Sequence, residues 1–188
     1  MPTVFNAKTS PSHRLLHSFC LHPSLRFETQ AGDETVILVL RAHPITQVSW
    51  IITTLIILIL PFFFNIVLIN NLSAQQFLFI NFFWYSFLLS YIFLNILNYL
   101  FNVGIISNRR IIDVDFHQIL YKEFTTSSIS KIEDVTVKSG GFIPSLFNYG
   151  DLFIQTAGTE ANIEFINIPK PTEAAQIINS LMKTRRGP

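Results

Sequence analysis

The chain has 188 residues and carries 13 lysines and arginines against 12 aspartates and glutamates, for a net charge of +1. A chain this close to neutral has no strong field to attract nucleic acid, so we expect no nucleic-acid partner. Cys20 is the only cysteine, which excludes an intrachain disulfide. Hydrophobic residues make up 49% of the chain and are concentrated in its middle third.

The N-terminal segment, residues 1–31, has no uninterrupted apolar run, and we expect a loosely ordered tail there. It contains four residues of types that bind metals, namely His13, His17, Cys20 and His22. Their spacing matches no strong zinc-finger pattern, so we predict neither a metal site nor any other cofactor site.

The segment after this tail, residues 32–43, predicts one β-strand ahead of the apolar region. The residues from Glu34 to Arg41 are apolar and β-branched, as is typical of a buried strand. We expect this strand to share a sheet with a later strand that begins at Val103.

The 67 residues from Ala42 to Asn108 contain no Asp, Glu, Lys or Arg. Two long apolar runs lie inside this stretch, and we predict transmembrane helices over residues 46–69 and 77–101. A helix of about 22 residues is about 33 Å long, which is enough to cross the hydrocarbon core of a bilayer. The connection between the two runs is short and polar, so the helices should form an antiparallel hairpin.

The cations flanking the apolar region predict its orientation. Arg41 and His43 precede the first helix, Arg109 and Arg110 follow the second, and the connecting loop has no cation. The positive-inside rule therefore places both termini in the cytoplasm. We expect a multi-pass protein of the cytoplasmic membrane.

Amide side chains interrupt the second apolar run at Asn81, Asn95, Asn98 and Asn102. Asn95, Asn98 and Asn102 share one helical face, and amides in lipid usually bond to another helix. These amides therefore bond to Asn65 or Thr54 of the first helix or to interfacial water, or they form a helix-association face. A transport pathway built by oligomerising the hairpin is the remaining alternative, although the span has no ionisable group to support it.

After Asn102 the apolar residues alternate with polar ones, which predicts short strands. We expect strands over residues 103–107, 110–116, 119–126, 132–137, 151–156 and 161–168. The alternation slips at Phe165–Ile166, so the last strand either bulges or ends there. An apolar stripe from Ala174 to Met182 then predicts an amphipathic C-terminal helix. These elements define an α+β unit over residues 103–184.

Three segments carry motifs that occur together in one family. The first runs from Gly-Asp-Glu-Thr at residues 32–35 to His43-Pro44, and the second is the strand-turn-strand segment Val103–Ile112. The third, Phe142–Ile154, contains Asn-Tyr-Gly at residues 148–150, where the family has Gly-Tyr-Gly. In this order around a hairpin, they resemble the bacterial pleckstrin-homology-like (PH-like) membrane proteins over residues 32–183.

The resemblance implies a membrane α+β fold. It consists of a two-helix transmembrane hairpin and a cytoplasmic PH-like small β-barrel of about seven strands with a C-terminal helix. It implies no catalytic site. The sequence agrees, because it contains no nucleotide-binding loop and no hydrolase or zinc-protease motif. We therefore predict that the chain is not an enzyme.

The first candidate binding site is a cationic one. Arg109 and Arg110 follow the second helix closely, and with Lys122 they are candidates for contact with lipid headgroups. Alternatively, the two arginines only anchor the topology and form a turn. Asp113 and Asp115 lie nearby and weaken the positive potential.

The second candidate site is an apolar loop flanked by glycines. Its side chains are those of Phe142, Ile143, Leu146, Phe147 and Tyr149. Either they pack under the barrel as a plug, or they dock a partner, or they insert into the membrane interface. Our leading hypothesis is a non-catalytic binding or scaffolding module at the inner leaflet, with membrane lipid and either a protein partner or a second copy as its contacts.

Overall fold

The computed structural model describes residues 17–23, 30–68, 72–117, 121–158 and 162–186. The chain divides into two compact units. One consists of Met1–His43 and Leu100–Pro188 and is called the β unit here. The other, Pro44–Tyr99, is called the hairpin.

The hairpin consists of two long helices. A 3-10 turn at Pro44–Gln47 leads into α1 (Val48–Leu68), and α2 spans Ala74–Phe101. Both helices are long and apolar enough to cross a membrane, judged by length and composition. Their large hydrophobic side chains are mostly exposed, so the hairpin has no polar outer surface of the kind that a helix in water needs.

Side-chain hydrogen bonds join the two helices of the hairpin. Pro61 has no N–H, so the carbonyl of Ile57 four residues earlier lacks its usual helical donor. The indole Nε1–H of Trp84 donates to that carbonyl at 3.0 Å. The amides of Asn65 and Asn81 bond to each other in both directions, at 3.0 and 3.2 Å. Polar groups freed or buried within the hairpin are thus satisfied by the neighbouring helix.

The β unit contains eight strands among its described residues, in two antiparallel sheets. The first sheet has the order β1 (Phe19–Leu21), β2 (Val36–Leu40), β3 (Val103–Ser107), β4 (Arg110–His117) and β5 (Tyr121–Ser128). The second has the order β6 (Ile132–Lys138), β7 (Tyr149–Thr156) and β8 (Ile163–Pro169). A short helix, α3 (Phe142–Phe147), lies between β6 and β7, and α4 (Pro171–Arg186) closes the unit.

The hairpin is inserted between two neighbouring strands. β2 and β3 pair antiparallel, with Leu40 opposite Gly104. This confirms the prediction that the strand before the apolar region shares a sheet with the strand that follows it. The chain therefore leaves and re-enters the β unit at adjacent positions of one sheet.

The core of the β unit lies between the two sheets and α4. The apolar stripe of α4 supplies Ala174 and Ile178, both fully buried. Phe165 of β8 packs its ring on Gly104 of β3, where a Cβ atom would overlap that ring. The glycine therefore allows the two sheets to approach each other.

The predicted seven-stranded barrel is corrected in three respects. The strands form two separate sheets rather than a closed barrel in the described residues, because the 3-10 turn Ile129–Lys131 separates β5 from β6. β1 adds a strand inside the segment expected to be a loose tail; it pairs with β2, whose five residues are all buried. The segment Phe142–Phe147, expected to be a loop, forms α3.

Of the two alternatives for the last strand, a bulge or an end at Phe165–Ile166, the structure shows the bulge. Leu152 pairs with Phe165 and Gly150 with Ile168, so two residues of β8 face one residue of β7. Asn167 in the bulge has a positive φ of 56°, and its N–H donates to the Asp151 carboxylate at 2.7 Å. The bulge keeps Phe165 and Ile168 on either side of it buried, whereas Ile166 within it is exposed.

Candidate functional site

Among the described residues of the β unit, the most buried ionic side chain is that of Glu34, a residue that is 3% exposed. Arg110 donates to both of its oxygens, from Nε and Nη2, at 3.0 Å each. The hydroxyl of Ser107 donates to Oε1 at 2.6 Å, and the backbone N–H of Ala31 donates to Oε2 at 3.2 Å. We call these four residues the Glu34 network.

The β2–β3 pairing explains why these residues meet. Antiparallel strands place the residues before β2 opposite the turn that follows β3. In that turn, Asn108 accepts a hydrogen bond from the N–H of Thr35 and donates one to the carbonyl of Asp33. Arg109 forms an ion pair with Asp33. The turn is thereby fixed to the start of β2 by side-chain and ionic bonds.

The Glu34 network keeps the carboxylate charged. Burial alone would raise the pKa of Glu34, but the hydrogen bonds from Arg110, Ser107 and Ala31, together with the Arg110 charge, hold that pKa below its ordinary value. The carboxylate is therefore ionised at neutral pH and has its donors around it. This arrangement serves structure rather than proton transfer.

The arginines predicted to contact lipid headgroups thus have carboxylate partners. Arg110 is 28% exposed at its side chain and binds Glu34 through two nitrogens, and Arg109 pairs with Asp33. Lys122 lies in β5 opposite Phe116, and its side chain is outside the described part of the structure. A phosphate would have to compete with two carboxylates here, so a headgroup contact by these residues stays a prediction.

Within the described part of the β unit, the most exposed apolar surface is on α3. Phe142 is 81% exposed and Leu146 65%, and Ile143 and Phe147 are exposed beside them. We call these four side chains the α3 patch. Gly141, with a φ of 101°, caps the N-terminus of α3, and Asn148, in the left-handed conformation, caps its C-terminus. Side chains this exposed do not form a plug under the sheets.

His43 joins the end of β2 to the residues around α3. Its ring stacks on Tyr149 with centroids 5.5 Å apart, and its centroid is 6.4 Å from that of Phe147. The backbone N–H of His43 donates to the carbonyl of Asn167 at 2.7 Å. Burial lowers the pKa of His43, so the stacked ring is neutral at pH 7. Sequence reasoning missed this contact, because nothing local links His43 to the Asn148-Tyr149 segment.

A comparison with family models matches the chain to the model described as "Bacterial PH domain" over residues 35–182. The chain belongs to the bacterial PH domain family. The match begins at β2 and ends in α4, and it covers most of the chain. No curated protein and no solved structure gives a significant match. PH domains are generally non-catalytic modules that bind lipids or proteins, often at membranes.

In this bacterial PH domain protein the amide side chains of α2 have different surroundings. Asn81 bonds to Asn65 of α1, as one of our alternatives anticipated. Asn95 donates to the carbonyl of Tyr91 in its own helix at 2.8 Å, and Asn98 is exposed. A helix-association face formed by Asn95, Asn98 and Asn102 therefore stays a prediction.

The candidate metal ligands near the N-terminus are placed as follows. Cys20 lies in β1, and burial raises the pKa of its thiol. His17 and His22 flank this strand, and His13 lies outside the described residues. Among the described residues of this protein, no group of three or more His, Cys, Asp or Glu side chains is placed to hold a metal ion.

Proposed function

We propose that this chain is an integral protein of the cytoplasmic membrane that presents its PH-like unit, as a non-catalytic binding or scaffolding module, at the inner leaflet. Both termini lie in the cytoplasm. The module's partner is another protein of the same membrane.

The position of the hairpin in the fold carries this proposal. The chain passes from His43 directly into the hairpin and returns directly to β3, and the two connections leave neighbouring strands of one sheet. No linker of more than a few residues separates the β unit from either helix. If the helices cross a membrane, the module cannot move far from the bilayer surface, as suits a scaffold for membrane proteins.

The charges at the two ends of the hairpin support the proposed orientation. Arg41 precedes it and Arg109 and Arg110 follow it, whereas the segment between α1 and α2 has no cation. Arg109 and Arg110 are partnered by carboxylates in the β unit. That pairing favours a protein-binding module over one that binds anionic lipid through these residues.

Cysteine labelling tests the topology. In a Cys20→Ser background, single cysteines replace Ser73, between the helices, and Gln176, on the exposed side of α4. A membrane-impermeant maleimide should label Ser73→Cys in cells whose outer permeability barrier is opened, and Gln176→Cys only after lysis of the cytoplasmic membrane. Labelling in the reverse order contradicts the proposed orientation, and equal labelling of both before lysis contradicts membrane integration.

Affinity purification tests the scaffolding role. The full-length protein is isolated from native membranes in mild detergent, and co-purifying proteins are compared with those of an unrelated tagged hairpin protein. A reproducible, stoichiometric membrane partner is expected. Recovery of the protein with retained lipid alone would favour a module that responds to anionic lipid. Recovery as a homo-oligomer would favour an oligomerised hairpin that acts as a small transport or permeability component.

A further inference from the structure

We propose that the α3 patch inserts into the interfacial layer of the bilayer and forms a third membrane contact beside the two helices. The occupant of this surface is lipid. The inference rests on the proposed membrane function and adds to it a named surface of the β unit.

The patch is contiguous, which distinguishes it from other exposed apolar residues of the β unit. Phe142, Ile143, Leu146 and Phe147 occupy a single helix of six residues. Other large apolar side chains exposed in the described part of this unit lie one at a time on separate strands or at a helix end: Phe101, Phe124 and Ile166. Single exposed apolar residues are ordinary, whereas a contiguous patch marks a protein or membrane contact.

His43 places the patch at the edge where the chain would enter the bilayer. Pro44, the next residue, begins the first candidate membrane span. The His43 ring contacts Tyr149 and Phe147, directly at the C-terminal end of α3. Because six helical residues span only about 9 Å, the whole of α3 lies close to this entry point. If the first candidate span crosses the bilayer from Pro44, an apolar helix near this point is available for insertion to the depth of about 5–10 Å at which interfacial helices lie.

The charge around α3 suits a lipid surface. Between Lys138 and Gly150 the sequence has no Asp or Glu, and Lys138 stands at the start of this segment. The amino group of Lys138 lies 4.2 Å from the centre of the Phe153 ring, where a cation is stabilised close to apolar surface. Asp151 follows Gly150 and lies opposite Lys138 in the β6–β7 pairing, so residues 138–151 carry no net charge. An apolar helix in a segment without net negative charge is not repelled by an anionic leaflet.

Depth-dependent quenching by lipid-bound nitroxides tests the inference. The full-length Cys20→Ser protein receives one cysteine, labelled with a polarity-sensitive fluorophore, and is reconstituted in phosphatidylethanolamine–phosphatidylglycerol vesicles. The test position is Leu146. Gln176, exposed on α4, is the control in water, and Phe62, exposed on α1, is the control in the membrane. Phe142 serves as a second test position if the first variant does not fold.

Probes at Leu146, Phe62 and Gln176 distinguish failure of the α3 contact from failure of membrane integration. The inference expects shallow nitroxides to quench the Leu146 probe more than deep ones, deep nitroxides to quench the Phe62 probe more than shallow ones, and neither to quench the Gln176 probe. If Leu146 behaves like Gln176 while Phe62 is quenched, the α3 contact is overturned and membrane integration stands. If Phe62 is not quenched, membrane integration itself is overturned.

A photo-crosslinker at Phe142 in native membranes distinguishes lipid from a docked protein. Insertion predicts adducts of lipid mass. A single protein adduct in place of lipid would overturn the inference and assign the α3 patch to a protein interface.

Discussion

The Glu34 network gives the most specific prediction for stability. Glu34→Gln removes the negative charge and replaces one acceptor oxygen with an amide group that donates. Arg110 then loses its counter-charge, and at least one of the donors around residue 34 faces another donor. The β unit should therefore be destabilised even though the shape of the side chain hardly changes.

The magnitude follows from burial. Removing one partner of a buried ion pair costs about 3–5 kcal/mol, since the remaining charge is left uncompensated. Glu34 is almost fully buried, but Arg110 is 28% exposed, so water solvates part of the guanidinium. We therefore expect the lower end of this range, about 3 kcal/mol, which for a unit of this size lowers Tm by about 10 °C.

Thermal unfolding in detergent measures the effect. Glu133→Gln, an exposed glutamate on β6, is the matched control and should change Tm by no more than the experimental error. The double variant Glu34→Gln/Arg110→Gln should lower the free energy of unfolding by less than the sum of the two single variants. Either single change already breaks the ion pair, so the second change has no pair left to break. The reasoning is refuted if Glu34→Gln lowers Tm no more than Glu133→Gln does. It is also refuted if the effects of Glu34→Gln and Arg110→Gln on the free energy of unfolding are additive.

The pH dependence provides a second check on the same network. Because the folded protein holds the pKa of Glu34 below its ordinary value of 4.5, the carboxylate stabilises the fold fully above pH 4.5 or so. This contribution is lost as the pH falls through the lowered pKa. The Tm difference between wild type and Glu34→Gln should therefore be constant from pH 7 to about 5 and narrow below that. A difference that grows in acid would contradict the assignment.

Two further substitutions test the packing of each unit. Gly104→Ala should destabilise the β unit by about 1–3 kcal/mol in thermal unfolding, because its methyl group would overlap the Phe165 ring; Gly32→Ala, with no atom nearby, is the control. Trp84→Phe should lower the free energy of unfolding of the hairpin by about 1 kcal/mol, measured by thermal unfolding in detergent. The change removes the donor to the Ile57 carbonyl, which has no helical donor because of Pro61. In a Pro61→Ala background the same change should cost less, because the backbone N–H is restored.

The sequence predicted those parts of the fold that depend on local periodicity. The alternation of apolar residues located the strands of the β unit, and the slip at Phe165–Ile166 located the bulge, because each is visible within a few residues. β1 was missed because three residues, Phe19–Leu21, are too few to establish a pattern. α3 was missed because Gly141 and Pro144 are typical of a loop and six residues do not show a helical period.

The candidate site was predicted less completely, since it depends on tertiary contacts. A usable signal existed for one half: pairing β2 with β3 places Asp33 and Glu34 beside Arg109 and Arg110, and their opposite charges predict ion pairs. The two arginines also fit the positive-inside rule and a headgroup contact, so their charge alone does not single out the carboxylates as partners. The stacking of His43 on Tyr149 had no such signal, because residues so far apart in the chain meet only once both sheets have formed.

The β2–β3 pair connects these observations. At one end of it, beside Leu40 and Gly104, the chain departs into the hairpin and returns from it. At the other end, the Glu34 network fixes the turn after β3 to the start of β2. Closing a long insertion between two paired strands carries an entropic cost that grows slowly with its length. A hairpin that has already formed lowers this cost by bringing its own ends together, and the ionic network holds the far end, where no covalent connection between the two strands exists.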